Sequence, residues 1–207
     1  THKPKILLHF GLPSILASIS IMIGEWGDKF LINEFLDKGE LGVFSMGFRI
    51  AMIYNVVISM PFVLVWKPLM MKIRDHEGIK DIFSRITFLY FGVSLIFIFS
   101  IYTLLEPILS LVGFDSKFDS SISYIPLIMT AIAFGSLLNI YSAGIVYARK
   151  PIILVYTYFS LGILNFIVSY FAISMFGLDG IIATFLFFKL ITSLIIYYFS
   201  SRYFKFT

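Results

Sequence analysis

The 207-residue chain is 59% hydrophobic and 18% aromatic, only 14% of its residues are charged, and its mean hydropathy is +0.94. A soluble domain carries about 25% charged residues, so the composition excludes that class. In so apolar a chain the net charge of +4 reports on membrane topology rather than on nucleic-acid binding, and the absence of Cys excludes disulfides, thiol catalysis and cysteine metal sites.

In chain order, apolar runs punctuated by Gly, Pro and charge fall at Ile6–Phe35, Leu41–Trp66, Ile86–Leu105, Ile122–Tyr147, Ile152–Phe176 and Ile181–Phe199. Most approach or exceed the roughly 20 residues needed to cross about 30 Å of hydrocarbon. They predict an all-α polytopic membrane protein, with residues 1–207 forming a single six-transmembrane-helix bundle. The first run contains Pro13, Gly24 and Gly27 and is neither a signal peptide nor a simple anchor. Its basic stub and its start at Thr1 point to a piece of a longer membrane protein. The connector Lys67–Arg85 alternates charge with Ile73, Ile79, Ile82 and Phe83 at helical spacing, which predicts a separate interfacial helix. Pro107–Phe114 reads as a similar apolar ledge at the opposite surface, and Pro61 and Pro126 as kinks or breaks within spans.

The sixteen Lys and Arg test this division. Eleven fall on one side (Lys3, Lys5, Lys67, Lys72, Arg74, Lys80, Arg85, Arg149, Lys150, Arg202 and Lys205) and only Lys38 and Lys117 on the other. By the positive-inside rule both ends of the chain are cytoplasmic, in a multi-pass protein of the cytoplasmic (inner) membrane.

Three cations remain inside the spans: Lys29, Arg49 and Lys189, with Glu25 and Asp28 beside them. An ionised group in mid-membrane costs at least a few kcal/mol, so such residues face a bundle interior or a watery cavity. At a rise of about 1.5 Å per residue, Asp28, Arg49 and Lys189 lie at one level, about 12 Å below the outer surface. The short loop between the first two spans lets Asp28 meet Arg49, Glu25 and Lys29 are an i, i+4 pair, and Lys189 has no assigned partner. Two readings stay open at this point. Either the charges are buried pairs that fix helix register, or they serve an ion or an anionic cargo, with Asp28 and Glu25 in ion coupling. Thr192 and Ser193 share the face of Lys189, and Tyr158, Gly162, Asn165 and Ser169 form a second polar stripe, so that Asn165, Thr192 and Ser193 are candidate cavity-lining residues. Ala131, Gly135, Asn139 and Ala143 form a stripe suited to close helix packing. No HExxH, GxSxG, phosphate-binding glycine loop or His cluster is present, so neither an enzyme nor a metal site is expected, and no cofactor beyond an H⁺ or Na⁺ coupling ion.

FGLP at Phe10–Pro13, DKFLI at Asp28–Ile32, ELGVFSMGFRI at Glu40–Ile50, WKP at Trp66–Pro68, RKP at Arg149–Pro151, Asn165 and FGLDGIIAT at Phe176–Thr184 together resemble the second half of bacterial polysaccharide (O-antigen) flippases. These belong to the multidrug, oligosaccharidyl-lipid and polysaccharide exporter superfamily. The resemblance implies the C-terminal bundle of a protein of twelve or more helices, whose partners are the bilayer, the missing N-terminal half and an undecaprenyl-diphosphate-linked oligosaccharide. It also implies a cationic cavity in which Arg49, Lys29 and Lys189 hold the anionic diphosphate. The alternatives are a multidrug or cation antiporter of the same superfamily, in which Glu25 and Asp28 bind the ion, and a non-transporting membrane scaffold.

Overall fold

A computed structural model describes residues 26–112 and 119–204. The motif at Phe10–Pro13, Pro13, Gly24, Glu25 and Lys117 lie outside the described residues. All regular structure within them is helical. Helix α1 covers residues 26–35. Asp37 then caps α2, Lys38–Tyr54, its Oδ1 accepting the Glu40 N–H at 2.8 Å and so satisfying one of the free donors of the first turn.

A wide π turn, Asn55–Ser59, joins α2 to α3, Met60–Lys72. Its cause is local. Pro61 has no N–H to offer the Val57 carbonyl, and the Met60 N–H reaches back five residues to the Asn55 carbonyl. The chain continues through α4, Ile79–Val112, α5, Asp119–Tyr141, the short α6, Ala143–Tyr147, and α7, Ile152–Ser201.

Four helical runs among the described residues are long and apolar enough to cross a membrane: Lys38–Lys72, Ile79–Ile108, Ser120–Tyr147 and Ile152–Ser201. This differs from the expected six. The first expected span, Ile6–Phe35, lies mostly outside the described residues, and the last two are one 50-residue run. A straight helix of that length would extend about 75 Å, more than twice the hydrocarbon thickness. It is not straight: Gly177 takes φ 59° and ψ −137°, a conformation open to glycine. Beyond it the chain doubles back, so that Ser169 Oγ lies 3.0 Å from Thr184 Oγ1 although fifteen residues separate them. Gly180 seats directly on the Ala172 backbone. Residues 152–176 and 178–201 are therefore antiparallel legs.

Helix α5 is the central post. Ile125, Ile128, Met129, Ala131 and Ile140 are wholly buried on it. Towards one end it packs with Leu31 and Ile32 of α1, Phe44 of α2 and Ile181 of α7. Towards the other it meets Trp66 and Met70 of α3, and Phe83 and Tyr90 of α4. Helix α4 is peripheral, with Phe88 at 78% and Phe99 at 68% exposure, as expected of a helix bathed in acyl chains.

Two corrections concern the connectors. The expected separate interfacial helix over Lys67–Arg85 does not form, because α3 runs on to Lys72 and α4 starts at Ile79, leaving a tight turn in which Gly78 has φ 84°. Ile73, Ile79 and Phe83 instead pack against the Trp66 and Tyr147 cluster, so apolar spacing that suggested a surface helix serves the ends of two spans. The expected ledge from Pro107 is likewise a continuation of α4 as far as Val112.

The ends of the bundle differ in charge. Lys67, Lys72, Arg74, Lys80, Arg85, Arg149, Lys150 and Arg202 gather at one end, against Asp75, Glu77 and Asp81. Contacts of Arg74 with Tyr147 and of Lys150 with Tyr203 tie that end together. At the other end Lys38 is the one cation placed among the described residues, beside Glu34, Asp37, Glu40, Glu106 and Asp179.

Candidate functional site

The charged level expected from the sequence is present, but its pairing differs. Asp28, 3% exposed, sits where α1 meets both legs of α7. The positive charge that acts on it is that of Lys189, and its carboxylate accepts a hydrogen bond from the Ser169 side chain. Arg49, expected to meet Asp28, is exposed on α2 instead. The hairpin between α1 and α2 is as short as expected, yet the burying surface for Asp28 is α7, which the second leg supplies once the chain has folded back at Gly177.

The local architecture explains how this level is held. Gly27 brings α1 close to α7, since a Cβ there would meet Phe166 Cδ2 at 3.0 Å. The Lys189 stem lies over Gly135 of α5, where a Cβ would stand 3.4 Å from Lys189 Cδ, and its Nζ lies 5.3 Å from the Phe185 ring centroid. Lys29 points to the other side of α1. Its Nζ lies 5.1 Å from the Trp26 ring and 5.0 Å from that of Phe48 on α2, a cation–π seat available at a wet or partly wet surface. Glu25, its expected partner, lies outside the described residues.

Among the polar residues singled out from the sequence, Asn165 is 8% exposed and one helical turn from Ser169 on the same face. Its Oδ1 has no hydrogen-bond partner among the described residues. Thr192 and Ser193 are buried at the contact of α7 with α5, where their hydroxyls donate to the carbonyls of Phe188 and Phe134. Of the Ala131 to Ala143 stripe, Ala131 and Ala143 are buried and Gly135 and Asn139 partly so, and the Asn139 backbone carbonyl accepts the Trp66 indole N–H at 3.1 Å.

Two features lay beyond the sequence reading. One is the pair Ser169 and Thr184 beside Asp28, readable only once the two legs are known to be antiparallel. The other is a buried hydroxyl chain across three helices. Tyr54 bonds to Ser94 at 2.7 Å and to Tyr90 at 2.9 Å, Tyr90 to Ser59 at 3.2 Å, and Ser59 to Ser136. Its signal was the presence of hydroxyl residues in mid-span, since a buried hydroxyl needs a partner.

Fold and composition together define an all-helical membrane protein with a charged level inside the bundle and no group of three or more potential metal-ligating side chains among the described residues. Residues 1–123 match the family of polysaccharide biosynthesis proteins, and the chain belongs to that family. No curated protein and no solved structure matches it.

Proposed function

We propose that the chain is one six-span bundle, the C-terminal half, of a flippase that moves an undecaprenyl-diphosphate-linked oligosaccharide across the cytoplasmic membrane, without enzymatic activity of its own. The observation that carries this reading is Arg49, an exposed guanidinium within an apolar span. A face bearing such a charge is poorly suited to lipid, at a cost of several kcal/mol, and suits a wet cavity closed by a second bundle. Lys29, half-buried on the neighbouring helix beside Phe48, adds a second cation towards that cavity. Family membership supports a role in polysaccharide assembly. On this reading the basic end is cytoplasmic. Arg49 and Lys29 hold the diphosphate while the prenyl tail stays in lipid, and one bundle rocks against the other.

Asp28 supports a separate coupling role. Its carboxylate, the hydroxyls of Ser169 and Thr184 and the Oδ1 of Asn165, which has no partner among the described residues, are hard oxygen donors on converging helices, suited to Na⁺ or H⁺, and Lys189 is the built-in competing cation. The carboxylate is also what a cation antiporter would require, so the cargo test decides between the readings. In a flippase-deficient strain, the full-length protein should restore surface glycan. Arg49→Ala should abolish that rescue at normal protein level, while Arg49→Lys keeps part of it. Full rescue by Arg49→Ala would remove this residue from the cargo site. Drug resistance without glycan rescue would favour the antiporter.

A further inference from the structure

The chain has two tryptophans, and they are placed in opposite ways. Trp66 is 1% exposed, with its indole N–H on the Asn139 carbonyl, as a buried indole requires. Trp26 is 61% exposed. It precedes the end of α1 at Phe35 by nine residues, which at the helical rise is about 14 Å along the axis. Exposed tryptophans of membrane proteins collect at the headgroup level, whereas this depth is near the middle of a hydrocarbon layer of about 30 Å. Anchoring in the interface therefore does not account for Trp26.

Its surroundings point to another use. Lys29 Nζ stands 5.1 Å from the Trp26 ring and 5.0 Å from that of Phe48, so this indole borders a cation rather than acyl chains alone. The ammonium takes one side of the ring, and the exposure of Trp26 leaves the rest open. Phe30, one turn further along α1, is likewise 61% exposed, and Asn33 follows it on the same stripe, also exposed. This side of α1 thus presents a ring beside an ammonium at mid-membrane depth, then a second ring, then an amide towards the outer end.

We infer that Trp26 is a stacking platform for the sugar ring joined directly to the diphosphate of the cargo. The inference rests on the cargo reading above, in which Lys29 and Arg49 hold that diphosphate, and adds the place of the first sugar. A pyranose turns a face of C–H bonds to one side, and the negative face of an indole attracts those polarised bonds as it attracts an ammonium. A sugar linked to a diphosphate at Lys29 falls next to the ring that Lys29 borders. Its hydroxyls stay at the rim, in a wet cavity, and the prenyl tail leaves from the other phosphate. A merely lipid-facing tryptophan would be indifferent to the sugar.

The test is equilibrium binding of two probes to the purified full-length protein. One is farnesyl diphosphate linked to N-acetylglucosamine, and the other is the methyl ester of farnesyl diphosphate, which has the same charge and no sugar. Trp26→Ala should weaken binding of the sugar probe about five-fold and leave the methyl ester unchanged, while Trp26→Phe keeps most of the sugar affinity. Arg49→Ala should weaken both probes. Unchanged sugar affinity in Trp26→Ala, with both probes weakened by Arg49→Ala, would overturn the platform and leave the diphosphate site standing. Equal weakening of both probes by Trp26→Ala would also overturn it, since the ring would then serve only to seat Lys29. Failure of Arg49→Ala to weaken either probe would sink the cargo reading itself, and the platform with it.

Discussion

Substitution of Gly180 tests how the two legs of α7 support Asp28. A Cβ at this position would stand 2.8 Å from the Ala172 carbonyl carbon, whereas carbon atoms in contact settle at about 3.5–4.0 Å. Backbone lies on both sides, so no side-chain rotation relieves the clash and the legs must part by about 0.7 Å or more. That displacement would carry Ser169 Oγ and Thr184 Oγ1, now 3.0 Å apart, beyond hydrogen-bonding distance. Overpacking costs about 1–3 kcal/mol and the lost hydrogen bond about 1 kcal/mol. Gly180→Ala should therefore destabilise the protein by about 2–4 kcal/mol, an increase of roughly 30-fold or more in the unfolding constant, measured by detergent titration of the purified protein. Because the chain has no Cys, a Ser169→Cys, Thr184→Cys pair reports the leg separation directly. Its oxidative crosslinking should slow markedly when Gly180→Ala is added. A stability change within 0.5 kcal/mol, with unchanged crosslinking, would refute the close antiparallel packing.

Two further outcomes follow from the charges. Single Cys replacements labelled with a membrane-impermeant maleimide should react in intact cells at Lys38, and at Lys80 and Arg149 only after permeabilisation; reaction of Arg149→Cys in intact cells would reverse the orientation. The exchange of Asp28 and Lys189 tests their pairing: Asp28→Ala should lower the protein level by removing the carboxylate that attracts the half-buried Lys189, and the double variant Asp28→Lys, Lys189→Asp should recover more protein than either single exchange, whereas equal loss in all three would dissolve the pair.

Much of this molecule was readable from composition and periodicity because the bilayer leaves few choices. Backbone polar groups must be satisfied within each span, so apolar runs become helices, and the cation count correctly sorted the described ends. What escaped were events that depend on tertiary partners. Gly177 and Gly180 both punctuate the same short stretch, yet only Gly177 breaks the helix, while Gly180 provides close approach to Ala172. Ile73, Ile79 and Phe83 fit a surface helix as well as a span end, and only Trp66 and Tyr147 decide between them. Depth placed Asp28, Arg49 and Lys189 at one level, but depth carries no azimuth. Arg49 turns outward and Lys189 inward, and that choice is made by which helices flank α1.

That choice bears on mechanism. Had Asp28 paired with Arg49, the two charges would cancel on adjacent helices, and the exposed face of α2 would carry no net charge for an anion. With Asp28 committed to Lys189 and Ser169 inside the bundle, Arg49 is left on an exposed face of α2, and Lys29 rests on the ring of Phe48, the residue that precedes Arg49. On the function proposed above, cation binding and anion binding fall on different sides of α1, the former facing α7 and the latter facing α2. A change at Asp28 can reach the anion face by tilting α1, since Gly27 and Phe166 leave no slack between α1 and α7. Gly27→Ala, which adds a methyl group at 3.0 Å from Phe166, should push α1 away from Asp28's partners. It should impair glycan rescue at near-normal protein level, with a smaller loss when Phe166→Leu is added to make room. Unimpaired rescue by Gly27→Ala would show that the two faces of α1 work independently.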